Sequence, residues 1–273
     1  MTIPAESQIA AGLAYQGWSG FVLSHPADGA PMIFDPSPDV KLAPAPAVFA
    51  ITHGHPEHVQ GALLHLRRRD REPVTVIASP AICGHFYRRS ARNDDRFMPV
   101  AAGDVVEAAG WKIRVFGWKH MGLIPPECRP ALKLLGRLLA HPICAARVGW
   151  QGFVAPKHQP MLGFRIQSEG LGPTVYLGEG LHRQTTAAAL SEALGDEPVQ
   201  SLIAGIEPED AHCIGALLAG RAIERLMLFE PHRDWRTRFG MEQANLPELA
   251  AALRRQGFAV DLPAPTGERG ASP

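Results

Sequence analysis

The segment ITHGHPEHVQG at residues 51–61 begins with the last residue of the apolar run AVFAI, and it constrains the fold more than any other stretch. His53, His55, Glu57 and His58 fall within six positions of a chain that has 12 histidines in 273 residues. On an extended strand end, side chains at i and i+2 point the same way, so His53 and His55 can reach one ion. If a helix then begins near Pro56, its dipole favours the carboxylate in the first turn. We interpret the segment as a buried strand, a metal-binding turn and a helix; the alternative is a polar turn that happens to contain histidines.

Short strand-like runs bounded by turn residues recur along the chain, among them GFVLSH, APMIFD, PVTVIAS, WKIRVFGW, MLGFRIQS, PTVYLG and RLMLF. Helical patterns lie between them. PEHVQGALLHLRRRD places its apolar residues on one helix face and has a basic far end, which suits the negative pole of the helix dipole. TTAAALSEALGDE and ELAAALRRQGF are further helix candidates, and DAHCIGALLAGRAIERL is another. This alternation predicts an α/β protein whose sheets are covered by helices.

Composition narrows the classes of function. The formal charge is zero, from 27 basic and 27 acidic side chains, so there is no electrostatic case for a nucleic-acid partner. The four cysteines form no CxxC pair, which argues against a zinc ribbon and favours buried free thiols. We expect no transmembrane segment, because no apolar run is long enough, and no secretory signal, because no charged segment opens the chain. The expected location is therefore cytoplasmic.

Residues 121–160 differ from their surroundings, with six prolines and a leucine-rich, lightly basic segment, and we interpret them as a helical insertion between two strands. The insertion could fold over the site as a lid, and its character would suit a hydrophobic or lipid-like substrate with an anionic group. A helical hairpin that forms a homo-oligomer would explain the same residues equally well. The whole chain, 1–273, is expected to form one domain, with a flexible tail at 268–273.

Three further candidate ligands lie just past apolar strands, as His53 does. His120 follows WKIRVFGW, Glu179 follows PTVYLG, and His232 follows RLMLFEP. Loops beyond strand ends are where α/β proteins assemble their sites. Two ions, which lie about 3.5 to 4 Å apart in two-metal hydrolytic sites, need more ligands than residues 51–61 provide. The joint pattern therefore favours a metal centre over isolated surface histidines.

Several neighbours of these residues have two interpretations each. Asp35 in IFDP is either a partner for the outer N–H of a ligand or a turn former. His182 and His212 either face a substrate or are ordinary surface histidines. Trp118 and Trp235 flank candidate ligands, and each either lines a pocket or packs in the core.

The segment THGHPEH resembles the HxHxDH signature of the metallo-β-lactamase superfamily, with Glu where Asp is usual. Further blocks resemble the branch of that superfamily that contains ascorbate-6-phosphate lactonase and N-acyl phosphatidylethanolamine phospholipase D. These blocks are AYQGWSGFVLSH with MIFDP, GFRIQSEGLGPTVYLGEG, LMLFEPHRDW and LAAALRRQGFAVDLPAPTGE. The resemblance covers about residues 13–267, interrupted by the insertion, and it implies a four-layer αββα sandwich.

The resemblance also implies a set of ligands for two divalent metal ions. By position, His53, His55 and His120 would bind the first ion, Glu57, His58 and His232 would bind the second, and Glu179 would bridge both. Zinc is the first expectation, with manganese or iron as alternatives, because glutamate replaces the usual aspartate at two of these positions. Flavodiiron proteins of the same fold also carry glutamate in the equivalent motif, so redox chemistry stays open.

The function implied is that of a dinuclear metal-dependent hydrolase. A hydroxide bridging two ions would attack an ester, lactone or phosphodiester in a small-molecule substrate. Glu57 and Glu179 would be the catalytic residues, Glu57 steering the hydroxide or protonating the leaving group. The alternatives are a diiron oxygenase or oxidase on the same fold and a non-catalytic binding descendant, against which a complete ligand set argues.

Overall fold

The computed structural model describes residues 12–27, 29–38, 42–90, 92–120, 135–136, 138–142, 145–146 and 160–263. The strands are β1 (Leu13–Gly17), β2 (Gly20–Leu23), β3 (Met32–Phe34), β4 (Ala47–Ala50), β5 (Val74–Ala78), β6 (Arg96–Pro99), β7 (Val105–Ala108), β8 (Trp111–Trp118), β9 (Met161–Ser168), β10 (Leu171–Tyr176), β11 (Val199–Gly205), β12 (Ile223–Phe229) and β13 (Ala259–Asp261). The helices are α1 (Pro56–Leu66), α2 (Pro80–Ser90), α3 (Ala187–Leu194), α4 (Ile214–Leu218), α5 (Arg233–Arg238) and α6 (Leu246–Arg255), with a 3₁₀ helix at Pro208–Cys213.

The strands form two sheets, in the orders β1-β2-β3-β4-β5-β6 and β13-β12-β11-β10-β9-β8-β7. Strands β3 to β6 are parallel in the first sheet, and β10 to β13 are parallel in the second. Strand β8 is antiparallel to β9, which is antiparallel to β10, so β8 and β10 run in the same direction. The carboxyl ends of β8, β10 and β12 therefore share one edge, and a hydrogen bond from Leu162 N to Thr52 O, 2.9 Å long, joins the end of β4 to it.

Three hydrophobic cores separate four layers. Trp111 and Tyr176 are fully buried between the two sheets. Phe86 of α2 packs with α1 on the outer face of the first sheet. Leu190 of α3 and Leu253 of α6 cover the outer face of the second sheet. Each sheet thus buries one face against its partner and the other against helices, which confirms the αββα prediction.

Local structure departs from the sequence-based expectation at several elements. The helix predicted for PEHVQGALLHLRRRD ends at Leu66, so that Arg67, Arg68 and Arg69 lie beyond it. DAHCIGALLAGRAIERL forms the 3₁₀ helix and α4 and then enters β12. Strand β6 and helices α2 and α5 had not been predicted, because their polar and basic residues hide the apolar pattern.

The predicted insertion at 121–160 lies mostly outside the described residues, as does the tail at 268–273. The lid and the homo-oligomer therefore stay predictions. Leu135 and Leu139, in the described part of the insertion, are helical and exposed. Among the residues that the structure describes, no helix has both the length and the apolar character needed to traverse a bilayer.

Candidate metal centre

Glu179 occupies the centre of the site and is fully buried. It follows β10 in a loop whose flanking residues, Gly178 and Gly180, have φ angles of 62° and 95°. A Cβ atom on Gly180 would lie 1.8 Å from the carbonyl oxygen of Gly205, so only glycine lets this loop lie against β11. The backbone thereby holds the carboxylate between the two sheets.

All five histidines of the predicted ligand set approach a single atom, Glu179 Oε1. Its distances are 3.1 Å to His53 Nε2, 3.2 Å to His120 Nε2, 3.6 Å to His55 Nδ1, 3.7 Å to His58 Nε2 and 3.8 Å to His232 Nε2. Glu57 Oε1 lies 3.7 Å from both His55 Nδ1 and His232 Nε2. The fold thus brings all seven residues together from four strand ends in two sheets.

Two subsets of these residues have the spacing to hold an ion. One is His53, His55, His120 and Glu179, and the other is Glu57, Glu179 and His232. Within each subset the candidate ligand atoms lie within 4.8 Å of one another. The division matches the one implied by the resemblance except that His58 lies outside the second subset, although its Nε2 faces Glu179.

Oxygen acceptors fix the rings of His53 and His58. Asp35 Oδ2 accepts from the Thr52 hydroxyl at 2.7 Å and from His58 Nδ1–H at 2.8 Å. Because the hydroxyl hydrogen points at Asp35, Thr52 Oγ1 accepts from His53 Nδ1–H at 3.0 Å. Both rings therefore turn Nε2 toward Glu179, as metal-binding histidines do when the other nitrogen is held by an acceptor. Asp35 is thus the partner of a candidate ligand, one of the two interpretations of its sequence.

Glu207 holds His232 in the same way, and sequence reasoning missed it. Glu207 Oε1 accepts from His232 Nδ1–H at 2.6 Å, and Glu207 Oε2 accepts from Arg236 Nε–H at 2.6 Å. Arg236 also donates to Glu209 Oε2 at 2.8 Å. Glu207 comes shortly after β11 in LIAGIE, so the strand-end argument that selected Glu179 could have selected it as well.

Unpartnered buried atoms at the centre test whether a cation fits. His53 Nε2 and both carboxylate oxygens of Glu179 are buried and have no hydrogen-bond partner. Since His53 Nδ1 carries the hydrogen, its Nε2 lone pair faces Glu179 Oε1 across 3.1 Å. Two acceptors this close repel unless a positive charge lies beside both. Imidazole and carboxylate ligands suit divalent transition-metal ions, so the residues present fit such a group.

The protonation equilibria of the cluster follow from burial and from its carboxylates. Burial, together with the neighbouring His58, lowers the pKa of His53 to about 4. Burial opposes protonation of His58, but the Asp35 carboxylate overrides it and raises the pKa of His58 to about 10. Burial also opposes protonation of His232, yet the hydrogen bond to Glu207 raises its pKa well above the ordinary value. Without metal, the cluster therefore holds a neutral His53 beside two protonated imidazoles.

The two glutamates of the cluster are ionised at neutral pH. Burial alone would raise the pKa of Glu57, but the nearby imidazole groups of His232 and His58 lower it to about 2. Burial would likewise raise the pKa of Glu179, but the surrounding imidazoles hold it well below the ordinary value. Both side chains are therefore available as anionic ligands.

The cluster opens to solvent on one side only among the described residues. The side chains of His55 and His120 are 34% and 31% exposed, whereas those of the other five residues are at most 10% exposed. Within the described part of the chain, these two rings therefore form the solvent-exposed edge of the cluster.

Two neighbours hold the His120 loop in place. Trp118 is buried and donates from Nε1 to Gly180 O at 2.8 Å. His182 is also buried, and its Nε2–H donates to Lys119 O at 3.1 Å, so its interpretation as a surface residue is wrong. His212 is exposed, as expected of a surface histidine. Trp235 is half-buried and packs edge-on against Trp18 with ring centres 6.3 Å apart.

Comparison with solved structures identifies the fold. Igni18, a metallo hydrolase from the archaeon Ignicoccus hospitalis, has a TM-score of 0.61 at 14% identity, covering 93% of this chain and 94% of its own. The metallo-beta-lactamase fold protein YhfI from Bacillus subtilis has a TM-score of 0.51 at 12% identity, covering 90% and 88%. CmlA, a diiron β-hydroxylase from Streptomyces venezuelae, has a TM-score of 0.57 at 11% identity, covering 92% of this chain but 52% of its own. The chain has the metallo-β-lactamase fold.

No protein-family model matches the chain, and no curated protein matches its sequence. The fold prediction is confirmed by structural likeness, whereas the branch with ascorbate-6-phosphate lactonase and N-acyl phosphatidylethanolamine phospholipase D stays a prediction.

Proposed function

We propose that this chain is a metal-dependent hydrolase whose cluster binds two divalent cations and acts on an ester, lactone or phosphodiester of a small molecule. The observation that carries the proposal is the convergence of five imidazole nitrogens on Glu179 Oε1 at 3.1 to 3.8 Å. A structural cluster would give its polar atoms partners within the protein. Here the innermost acceptors are buried and unpartnered, as ligand atoms would be.

The ligand assignment follows the two subsets, with His58 added to the second because its Nε2 faces Glu179. His53, His55 and His120 would hold one cation, Glu57, His58 and His232 would hold the other, and Glu179 would contact both. A divalent cation in such a site supplies Lewis acidity, which polarises a carbonyl or phosphoryl oxygen and lowers the pKa of coordinated water to about 7.

The protein's own groups orient the reactants. The opening past His55 and His120 admits the scissile group, while the sheets exclude water from the opposite side of the cluster. Glu57 is ionised and lies 3.7 Å from His55 Nδ1, so its carboxylate faces the inner end of the opening as an anion. Glu57 therefore suits the steering role better than that of an acid. Asp35, Thr52 and Glu207 keep the buried rings in their ligand orientation.

The test combines metal content with a panel of lactones, phosphodiesters and β-lactams. His55→Ala should lower hydrolysis by at least about 100-fold, because it removes a ligand at the opening. His25→Ala is the matched control, since His25 is also a half-exposed histidine but lies after β2 beside Trp111. Equal hydrolysis by wild type and His55→Ala would refute the proposal, and equal losses in both variants would show an effect on folding alone.

A diiron oxidase or oxygenase is the second candidate. Two glutamates within the cluster favour it, since added carboxylate ligands accommodate iron, and the likeness to the diiron β-hydroxylase CmlA fits the same reading. Elemental analysis and visible absorption of anaerobically purified protein separate the two functions. Iron with visible absorption, together with oxygen consumption that His55→Ala abolishes, would favour the oxidase, whereas colourless zinc or manganese protein would favour the hydrolase.

A further inference from the structure

A groove of about 580 Å³ lies between the ends of α1 and α2. Helix α1 carries Glu57 and His58 in its first turn and is 11 residues long, or about 16 Å. The groove therefore lies at the far end of this helix from the metal centre. Six arginines line it: Arg67, Arg68, Arg69, Arg88, Arg89 and Arg92.

Most of this positive charge has no carboxylate partner. Arg68 pairs with Asp70 through two hydrogen bonds of 3.0 and 2.7 Å, and Arg92 pairs with Asp94 at 3.2 Å. The other four guanidinium groups, those of Arg67, Arg69, Arg88 and Arg89, are exposed, and none forms an ion pair with a carboxylate in the part of the chain that the structure describes. Four uncompensated cations thus face one groove of a chain whose net charge is zero.

The effect of these charges is visible at His85, which is buried beside the groove. Arg89 Nη1–H donates to His85 Nδ1 at 2.7 Å, so this nitrogen is an acceptor. Burial, followed by the charges of Arg89, Arg88 and Arg67, lowers the pKa of His85 to about 4. The arginine charges therefore add to the effect of burial in keeping this imidazole neutral.

Helix dipoles account for only part of the positive charge of the groove arginines. Basic residues near a helix end offset a partial charge of about −0.5 per helix, which two helices would satisfy with one or two arginines. Helix α6 carries two arginines at its end, Arg254 and Arg255, whereas six line the groove at the ends of α1 and α2. The excess of arginines at the ends of α1 and α2 points to an anionic ligand.

We propose that this groove binds a small-molecule anion that carries two or more phosphate groups. Guanidinium forks match phosphate oxygens in pairs, and the volume lies within the range of ligand pockets, about 300–1,000 Å³. Tyr87, 66% exposed, lines the groove and offers an aromatic face to a planar group such as a base. Asp70 and Asp94 neutralise two of the lining arginines, so the unpaired positive charge is confined to four guanidinium groups in one groove, which suits a compact anion better than an extended polyanion or an anionic bilayer.

The test is isothermal titration of the metal-loaded protein with pyrophosphate and with a nucleoside diphosphate. The variant Arg69→Gln/Arg88→Gln removes two groove arginines, and Arg254→Gln/Arg255→Gln removes two arginines from the end of α6 as a matched control. We expect the groove variant to bind pyrophosphate at least about tenfold more weakly, since each arginine lost removes charge-assisted hydrogen bonds, and the control to bind like wild type. Circular dichroism melts check that both variants stay folded.

Three outcomes would overturn the proposal. One is no binding to wild type at millimolar pyrophosphate. Another is equal affinity in wild type and the groove variant, which would place the phosphates at the metal centre or elsewhere. The third is arginine-dependent binding only to phosphatidylglycerol vesicles or only to a short single-stranded oligonucleotide, each included as a separate titration.

Discussion

The substitution Glu207→Gln tests whether the carboxylate bonded to His232 affects metal binding at the candidate centre. Glutamine keeps the size of the side chain but has one oxygen, which can accept from His232 Nδ1–H or from Arg236 Nε–H but not from both as the two Glu207 oxygens do at 2.6 Å. Its amide N–H₂ group would face a second donor. The substitution therefore removes the charged acceptor of the His232 ring but leaves no cavity in the protein.

The magnitude follows from the hydrogen bond that is lost. A hydrogen bond to a charged group contributes about 1.5–3 kcal/mol, which corresponds to about 10–100-fold in a binding constant. Outer partners of metal-binding histidines have effects of the same size. Because Glu207 contacts only one of the two ligand subsets, we expect one of two metal-binding steps to weaken by about 10–100-fold and the other to stay unchanged.

Competition with a chromophoric chelator, titrated with zinc and with manganese, measures both binding steps. The control is Glu209→Gln, which removes the other carboxylate bonded to Arg236, at 2.8 Å, without touching His232. The control should bind both ions as wild type does. Equal weakening in the two variants would mean that Arg236, rather than the acceptor on His232, controls the site, and the reasoning would be refuted.

Three further predictions concern protons and packing. Because His58 and His232 have raised pKa values in the metal-free protein, metal binding at pH 7 should release about two protons, and the affinity for metal should increase as pH rises. Calorimetry in two buffers of different ionisation enthalpy counts the released protons, and no release would contradict the assignment of these two histidines as ligands. Burial lowers the pKa of His65 from 6.5 to about 4, so between these pH values the folded state binds fewer protons than the unfolded state. The free energy of unfolding should therefore fall as pH drops from about 6.5 toward 4, and urea titrations should show a smaller fall for the His65→Gln variant. A Cβ on Gly61 would lie 2.0 Å from Pro36 O, so Gly61→Ala should lower the free energy of unfolding in urea by about 3 kcal/mol or more. In the control Gly84→Ala on α2, the new Cβ meets only a flexible Arg88 nitrogen at 3.2 Å, and the free energy of unfolding should rise by up to about 1 kcal/mol.

The sequence predicted the centre of the site because each of its loops follows a strongly apolar strand. His53, His120, Glu179 and His232 stand two or three residues past β4, β8, β10 and β12, and parallel strands bring their ends to one edge of a sheet. The residue types predicted metal ligation, and the strand ends predicted where the ligands would meet. Both signals are local, so a single sequence contains them.

The partner of His232 depends on register, which the sequence does not display. Strands β11 and β12 pair in parallel with Gly205 opposite Phe229, so Glu207, two residues past the first, lies beside His232, three residues past the second. In GIEPED three acidic residues compete for that place, and only the 3₁₀ helix decides which of them turns inward. The burial of His182 has the same cause, because it rests on contact with a loop 63 residues away.

The charges of the centre explain how such a cluster is tolerated in a folded core. Asp35, Glu57, Glu179 and Glu207 are all buried, and buried carboxylates are costly unless positive groups lie beside them. In the metal-free protein those groups are the protonated rings of His58 and His232 and the guanidinium of Arg236. Two divalent cations would bring about twice the positive charge of the two protons they displace, and they would do so next to Glu57 and Glu179, which no cationic side chain other than histidine reaches among the described ion pairs. The same carboxylates that keep two histidines protonated would therefore also attract the divalent ions of the proposed site.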